Sequence, residues 1–221
     1  MLNFNEAFKF PFKDPEWIQK LLRGTLFTLL SIFILPIPVV YGYLIELIKR
    51  VSNNEKYPLP DWKDPGVKFL RGFKYLIVML IYYLPLILIV IFLLMIGFIF
   101  ELTSNRLAFT TTLFIPLFGP VMVIALYSVV LYFLTPLITI EYSVNERIPD
   151  GLKINQILRY CKFKWKVLLI IGLVAFGLEI AASFGIIFLI VGILFTSFYV
   201  SLVTFHLYGQ LGRDLKKITK N

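Results

Sequence analysis

An all-α polytopic transmembrane helical bundle, with a Pro-broken N-terminal membrane hairpin and basic interfacial helices, is the fold class this chain predicts, on three observations. Of its 221 residues 59% are apolar and only 16% charged, where a soluble domain runs about 45–50% apolar and about 25% charged. The mean hydropathy is +0.84. The apolar residues gather into long runs, broken by Pro and Gly more than by charge, and a run of about 20 such residues crosses a hydrocarbon core roughly 30 Å thick. A single multi-pass domain in the cell (plasma) membrane is expected.

Residues 1–50 read as an interfacial lead-in followed by a broken hairpin. The first twenty residues mix Glu6, Lys9, Lys13, Asp14, Glu16 and Lys20 with Pro11 and Pro15, unlike a cleavable signal peptide, so the N-terminus is expected to be retained. The apolar run Leu21 to Ile48 is interrupted by Pro36-Ile37-Pro38. As one helix it would be about 42 Å long, and as a hairpin each arm would have only about 14 residues. Charge decides between them. A single crossing puts Lys9, Lys13, Lys20, Arg23 and Arg106 opposite the other seventeen of the 22 basic residues, whereas a hairpin leaves Arg106 alone on its side. The positive-inside rule prefers the hairpin, re-entrant and covered by other helices, with both termini cytoplasmic.

Residues 51–74 form a cytoplasmic loop and residues 75–140 a transmembrane hairpin. Its arms, Tyr75 to Phe100 and Thr112 to Ile140, are joined by the polar link Thr103-Ser104-Asn105-Arg106 and carry Pro85, Pro116, Gly119-Pro120 and Pro136, which kink a helix. In the basic segment 141–166, Leu152, Ile154, Ile157, Leu158 and Cys161 interleave with Lys153, Arg159, Lys162, Lys164 and Lys166. That is an interfacial helix, with Trp165 as aromatic anchor where the next span begins. Residues 167–208 are long enough for two spans turning near Ser183-Phe184-Gly185, and 209–221 are a basic tail. Lys13-Asp14-Pro15, Lys63-Asp64-Pro65 and Pro149-Asp150-Gly151 each precede such a stretch; shared helix-start chemistry explains them without an internal duplication.

The polar residues bound the chemistry. One cysteine, Cys161, and one histidine, His206, leave no disulfide and no Cys/His set, so neither metal nor cofactor is expected. The net charge of +9 is parcelled around apolar runs, which marks topology and not nucleic-acid binding. Glu179 is a carboxylate inside a span and so a candidate polar site, on a helix face with Gly172, Ala175 and Ala182. Ser197, Ser201, Thr204 and Tyr208 recur at helical spacing, a stripe suited to holding helices together. His206 belongs at the interface and lies at the wrong depth to pair with Glu179. With no nucleophile in a recognisable turn, no phosphate cradle and no paired carboxylates, catalysis is not expected, and no catalytic residue is assigned. The expected role is a non-enzymatic scaffold or accessory protein for membrane partners or lipids. The alternative is a small transporter or channel subunit using Glu179. The expected partners are the lipid bilayer, anionic lipids, and a membrane protein or a second copy of this chain; the lysines favour an anionic leaflet.

Several short motifs recur in order: Phe10-Pro11-Phe12-Lys13-Asp14-Pro15-Glu16-Trp17, Gly42-Tyr43, Leu59-Pro60-Asp61-Trp62, Tyr83 with Pro85, Val191-Gly192, and His206-Leu207-Tyr208-Gly209-Gln210. Through them the chain resembles, over nearly its whole length, an archaeal and bacterial integral membrane protein family known as domain of unknown function 4013. It departs at Leu211-Gly212-Arg213, where that family tends to carry an aromatic before the arginine. The resemblance implies several membrane helices and no assigned activity.

Overall fold

The structure is a computed structural model that describes residues 2–103, 109–185 and 189–219, with side chains outside 100–118, 186–191 and 218–219. Among the described residues it is helical without strands: α1 (Phe4–Lys9), α2 (Trp17–Leu30), α3 (Ile37–Ser52), α4 (Pro65–Thr103), α5 (Phe109–Asn145), α6 (Ile148–Gly151), α7 (Ile154–Ser183) and α8 (Leu189–Thr219). Four stretches are long and apolar enough to cross a membrane: Pro65–Ile99, Gly119–Asn145, Ile154–Ser183 and Gly192–Lys217. The protein is an all-α, multi-pass membrane protein. The link Ser104-Asn105-Arg106, and Lys220 in the tail, lie outside the described residues.

The helix starts follow from the Asp-Pro lead-ins. The Asp14 carboxylate accepts from the Glu16 backbone N–H (2.9 Å), and its carbonyl from Trp17 N–H (3.2 Å), just as α2 begins. Asp64 has φ 53, and its carbonyl accepts from Val67 and Lys68 N–H at the head of α4, where Pro65 supplies the preset φ of a first helical residue. The third lead-in begins only the four-residue α6.

The first apolar run bends where α2 gives way to a 3₁₀ turn, Ser31–Phe33. Ile34 then adopts φ 66, a conformation costly for a β-branched residue, and Pro36 precedes α3. The break thus lies just ahead of Pro36-Ile37-Pro38. At about 21 and 24 Å, α2 and α3 are too short to span. Ile32, Phe33, Ile34 and Leu35 at the tip are 72 to 75% exposed. At the other end, Lys20 meets Asp61 (2.9 Å) and its carbonyl accepts from Trp62 Nε1 (2.8 Å), so the chain comes back to where it entered the turn.

The chain divides into two compact units, Met1–Val78 with Leu134–Asn221, and Met79–Phe133. In the first, α8 is the central helix, packed against α1, α2, α3 and α7, with Tyr43, Leu47, Ile48, Phe198, Leu202 and Leu207 in the core. In the second, Tyr127 donates to the Tyr82 carbonyl (2.9 Å), while Ile91, Phe92, Val123 and Leu126 are exposed, as lipid-facing side chains are.

Three boundaries differ from those the sequence suggests. Helix α4 begins ten residues ahead of Tyr75, within the expected loop 51–74, because its first turns carry Lys68 and Arg71 to a carboxylate on α3. The interfacial segment and the following span are one helix, α7, bent at Lys164 (φ −122, ψ 17). The basic tail is the end of α8: Gln210, Leu211 and Leu215 are buried, and Arg213 and Lys216 donate to Asn54 (2.6 Å) and Asn53 (2.9 Å).

Candidate functional site

The first unit gathers its charged residues where the starts of α4 and α7 meet the ends of α3, α5 and α8. Glu46, on the last turns of α3, accepts from Lys68 Nζ (2.6 Å), Arg71 Nη1 (2.8 Å) and Arg50 Nη2 (2.8 Å). The Arg71 Nε lies 2.8 Å from Glu146, which also pairs with Lys49 (2.9 Å). One chain of ion pairs therefore ties α3 to α4 and to the end of α5. Burial pushes the Glu146 carboxyl up, but the Arg71 and Lys49 cations paired with it outweigh that and hold the group below its ordinary range. The helices that carry this network cross closely. A Cβ on Gly42 would collide with the Lys68 carbonyl, and one on Gly72 with the Pro38 carbonyl, so α3 and α4 touch backbone to backbone there.

A second brace joins the motif segments. Lys20 Nζ contacts Asp14 (2.8 Å), Asp61 (2.9 Å) and the Leu59 carbonyl (3.3 Å), and the bond from Lys20 holds Asp61 below the usual carboxylate range. Trp62 stacks on both Tyr43 (4.1 Å) and Phe27 (4.8 Å). Through this brace Asp14, Tyr43, Asp61 and Trp62, from three separate motifs, form one assembly.

Beside the ion pairs lies a cavity of 470 Å³, lined in part by Lys49, Glu141, Lys153, Gln156, Tyr160 and Lys216. Glu141 is 7% exposed, and among the described residues its one hydrogen bond is from Gln156 Nε2 (3.1 Å). Gln156 also bonds the Tyr160 hydroxyl (2.9 Å). Lys153 pairs with Asp150, and the bond between them holds Asp150 below its ordinary range. Ile140, Val144 and Leu215 supply an apolar wall. The arrangement holds cations at an open rim and one carboxylate inside, which suits a polar ligand carrying both charges. Among the described residues no group of three or more His, Cys, Asp or Glu is placed to hold a metal ion.

The residues the sequence singled out lie elsewhere. Glu179 is exposed, one turn before the end of α7, where the Ser183 hydroxyl donates to its carbonyl (3.1 Å). Leu168, Ile171, Ala175 and Ala182 form the buried face of α7, and Glu179 flanks that face instead of joining it. Ser197 and Ser201 are half-buried and Thr204 is buried; Ser201 bonds back to the Ser197 carbonyl (2.9 Å). Trp165 is 52% exposed and follows the α7 bend at Lys164. His206, expected at the interface, is 2% exposed. The N-terminal segment folds over α8, so Phe10 stacks on His206 (4.2 Å) and Gln210, 3.2 Å from His206 Nδ1, also bonds the Asn3 backbone. The sequence signalled none of the cavity or network partners, because Glu46, Arg71 and Glu146 are 25 and 75 positions apart and each looks like ordinary flanking charge.

Comparison with family models matches residues 25–196, well over half of the chain. The chain belongs to the DUF4013 family, described as protein of unknown function. Within the DUF4013 match lie Gly42-Tyr43, Leu59-Pro60-Asp61-Trp62, Tyr83 with Pro85, and Val191-Gly192, while the motifs at 10–17 and 206–210 fall outside it. The family carries no assigned activity, so it lends no residue a role. No curated protein and no solved structure matches the chain.

Proposed function

We propose that this DUF4013 member is a non-enzymatic accessory or scaffolding protein of the plasma membrane that engages lipids or membrane partners at its basic, cytoplasmic end. The observation that carries the reading is the 470 Å³ cavity with Lys49, Lys153 and Lys216 among its lining, placed at the basic ends of three spanning helices, α5, α7 and α8. The neighbouring titratable groups support a structural and not a catalytic use. Glu46, Arg71 and Glu146 are consumed in contacts that join helices, and Lys20 and Asp61 in another. The exposure of Glu179 weighs against the transport alternative, since a conducting carboxylate faces protein or water-filled interior.

The test is extraction of the protein in native-membrane nanodiscs, followed by mass spectrometry of retained lipids and proteins. Enrichment of a lipid class or of a stoichiometric partner over the bulk membrane is the expected result, and it should weaken when Lys49, Lys153 and Lys216 are replaced by alanine together. A retained composition identical to bulk in both proteins overturns the reading.

A further inference from the structure

Apart from the cavity, we infer that the α2–α3 hairpin is a wedge embedded in a single leaflet, on the side of the basic end, and that it draws the protein to membrane convex on that side. Length is the first argument. Arg23 and Glu46 are the charged residues nearest the break on either side, and each is separated from Ile34 by about 11 or 12 residues, roughly 16–18 Å of helix. That is little more than half of a hydrocarbon core about 30 Å thick. Arg23 is exposed and long enough to reach the headgroups from just inside the core. The uncharged part of the hairpin therefore fills one leaflet and leaves most of the other to lipid.

The second argument is that the hairpin needs no water. At its turn the N–H groups of Ile34, Leu35, Ile37, Val39 and Val40 each donate to a backbone carbonyl, and Pro36 and Pro38 bring no N–H. Leu35 N–H reaches the Phe33 carbonyl (2.7 Å) across Ile34 at φ 66, ψ −44, a γ-turn that is rare because it is strained. Along α2 the hydroxyls of Thr25, Thr28 and Ser31 donate to the carbonyls of Leu21, Gly24 and Phe27. Hydrocarbon demands such partners of every polar group. The third argument is the surroundings. Leu26, Leu29 and Leu30 on α2 are exposed, as is the whole tip, which gives acyl chains an apolar face to cover. The opposite face is fixed to a spanning helix, for a Cβ on Gly24 would collide with the Phe198 ring, and the Lys20 contacts with Asp14, Asp61 and Trp62 pin the base. Two helices, each about 10–12 Å across, thus enlarge one leaflet alone, and apolar insertion into one face of a bilayer is curvature-sensitive.

The experiment reconstitutes the full chain, in a Cys161→Ser background, into giant vesicles of phosphatidylcholine and phosphatidylglycerol from which a narrow tube is pulled. A membrane-impermeant dye on Asn53→Cys, beside Lys216, reports only molecules whose basic end faces out. The same dye on Ser183→Cys, at the far end of α7, reports only those whose basic end faces in. The readout is protein per lipid in the tube divided by protein per lipid in the vesicle. This ratio should exceed one for the Asn53 label, whose hairpin lies in the expanded outer leaflet, and fall below one for the Ser183 label. Phe33→Asp charges a side chain that is 75% exposed, so the packing is untouched, and both ratios should move toward one as the tip withdraws from hydrocarbon. Equal ratios for the two labels in the parent, a comparison that needs no hairpin variant, overturn the proposal. So does a Phe33→Asp protein that sorts like the parent. A dimer in detergent that Leu26→Ser separates puts a second copy on the α2 face and overturns lipid as its occupant.

Discussion

Replacing Gly72 by alanine adds one methyl group where α3 and α4 leave no room for it. The new Cβ would overlap the Pro38 carbonyl oxygen and lie 2.7 Å from the Gly42 nitrogen, whereas a comfortable carbon–oxygen contact is about 3.3–3.6 Å. The helices must part, and overpacking of this kind costs about 1–3 kcal/mol. Parting them also stretches the Glu46 contacts to Lys68 and Arg71, now 2.6 and 2.8 Å, among side chains that are all less than a fifth exposed; about 1 kcal/mol each is a moderate loss for a charged hydrogen bond. Alanine returns about 1 kcal/mol of helix propensity. The balance is a destabilisation of about 2–4 kcal/mol, or a melting shift of roughly 5–15 °C for a chain this size. The assay is thermal unfolding of purified protein in one detergent, followed by tryptophan fluorescence. Gly97→Ala, on the same helix with nothing within 4 Å of its Cβ, is the control and should be neutral or stabilising. Gly42→Ala should behave like Gly72→Ala, because its Cβ meets the Lys68 carbonyl. A Gly72→Ala protein that melts within about 2 °C of the parent would refute the close crossing.

Trp62→Ala removes a ring stacked on Tyr43 and Phe27, together with the bond to the Lys20 carbonyl, and should cost about 3–5 kcal/mol in the same melt; Trp62→Phe should cost clearly less. The folded Glu146 carboxyl lies below its ordinary value of 4.5, so its stabilisation is complete above that value and is lost as pH falls through the folded one. Melting should therefore drop on acidification below about pH 4.5, and Glu146→Gln should start lower and show a shallower drop; parallel curves would count against the Arg71 and Lys49 contacts. In a Cys161→Ser background, single cysteines at Asn53 and Asn145 should label from the same side of the membrane and Ser183 from the other, since Asn53 is bonded to Lys216 and Asn145 to Asp150 at the basic end. A bimane label at Phe33 should be quenched by spin-labelled lipid, because the tip of the hairpin is apolar and exposed; quenching by water-soluble iodide alone would place the tip outside the bilayer.

Membrane character, helical class and the helix starts at Asp14-Pro15 and Asp64-Pro65 could be read from residue order alone. Each depends on a sum or a contact within about one span or one turn of chain. The α7 bend beside Trp165 was half legible, as a change from amphipathic to uniformly apolar sequence. Sequence also drew attention to Glu179, because an intramembrane carboxylate is costly wherever it lies; which way it faced depended on how α8 crosses α7, and the crossing left it exposed. Only the tertiary structure decided that Glu46 neutralises Lys68 and Arg71 across a glycine-to-glycine crossing, that Phe10 stacks on a buried His206, and that Glu141 is buried beside a cavity with Gln156 as its hydrogen-bond donor among the described residues. Desolvation and pairing are properties of the neighbours brought from other helices, and no local pattern of charge or hydropathy encodes them.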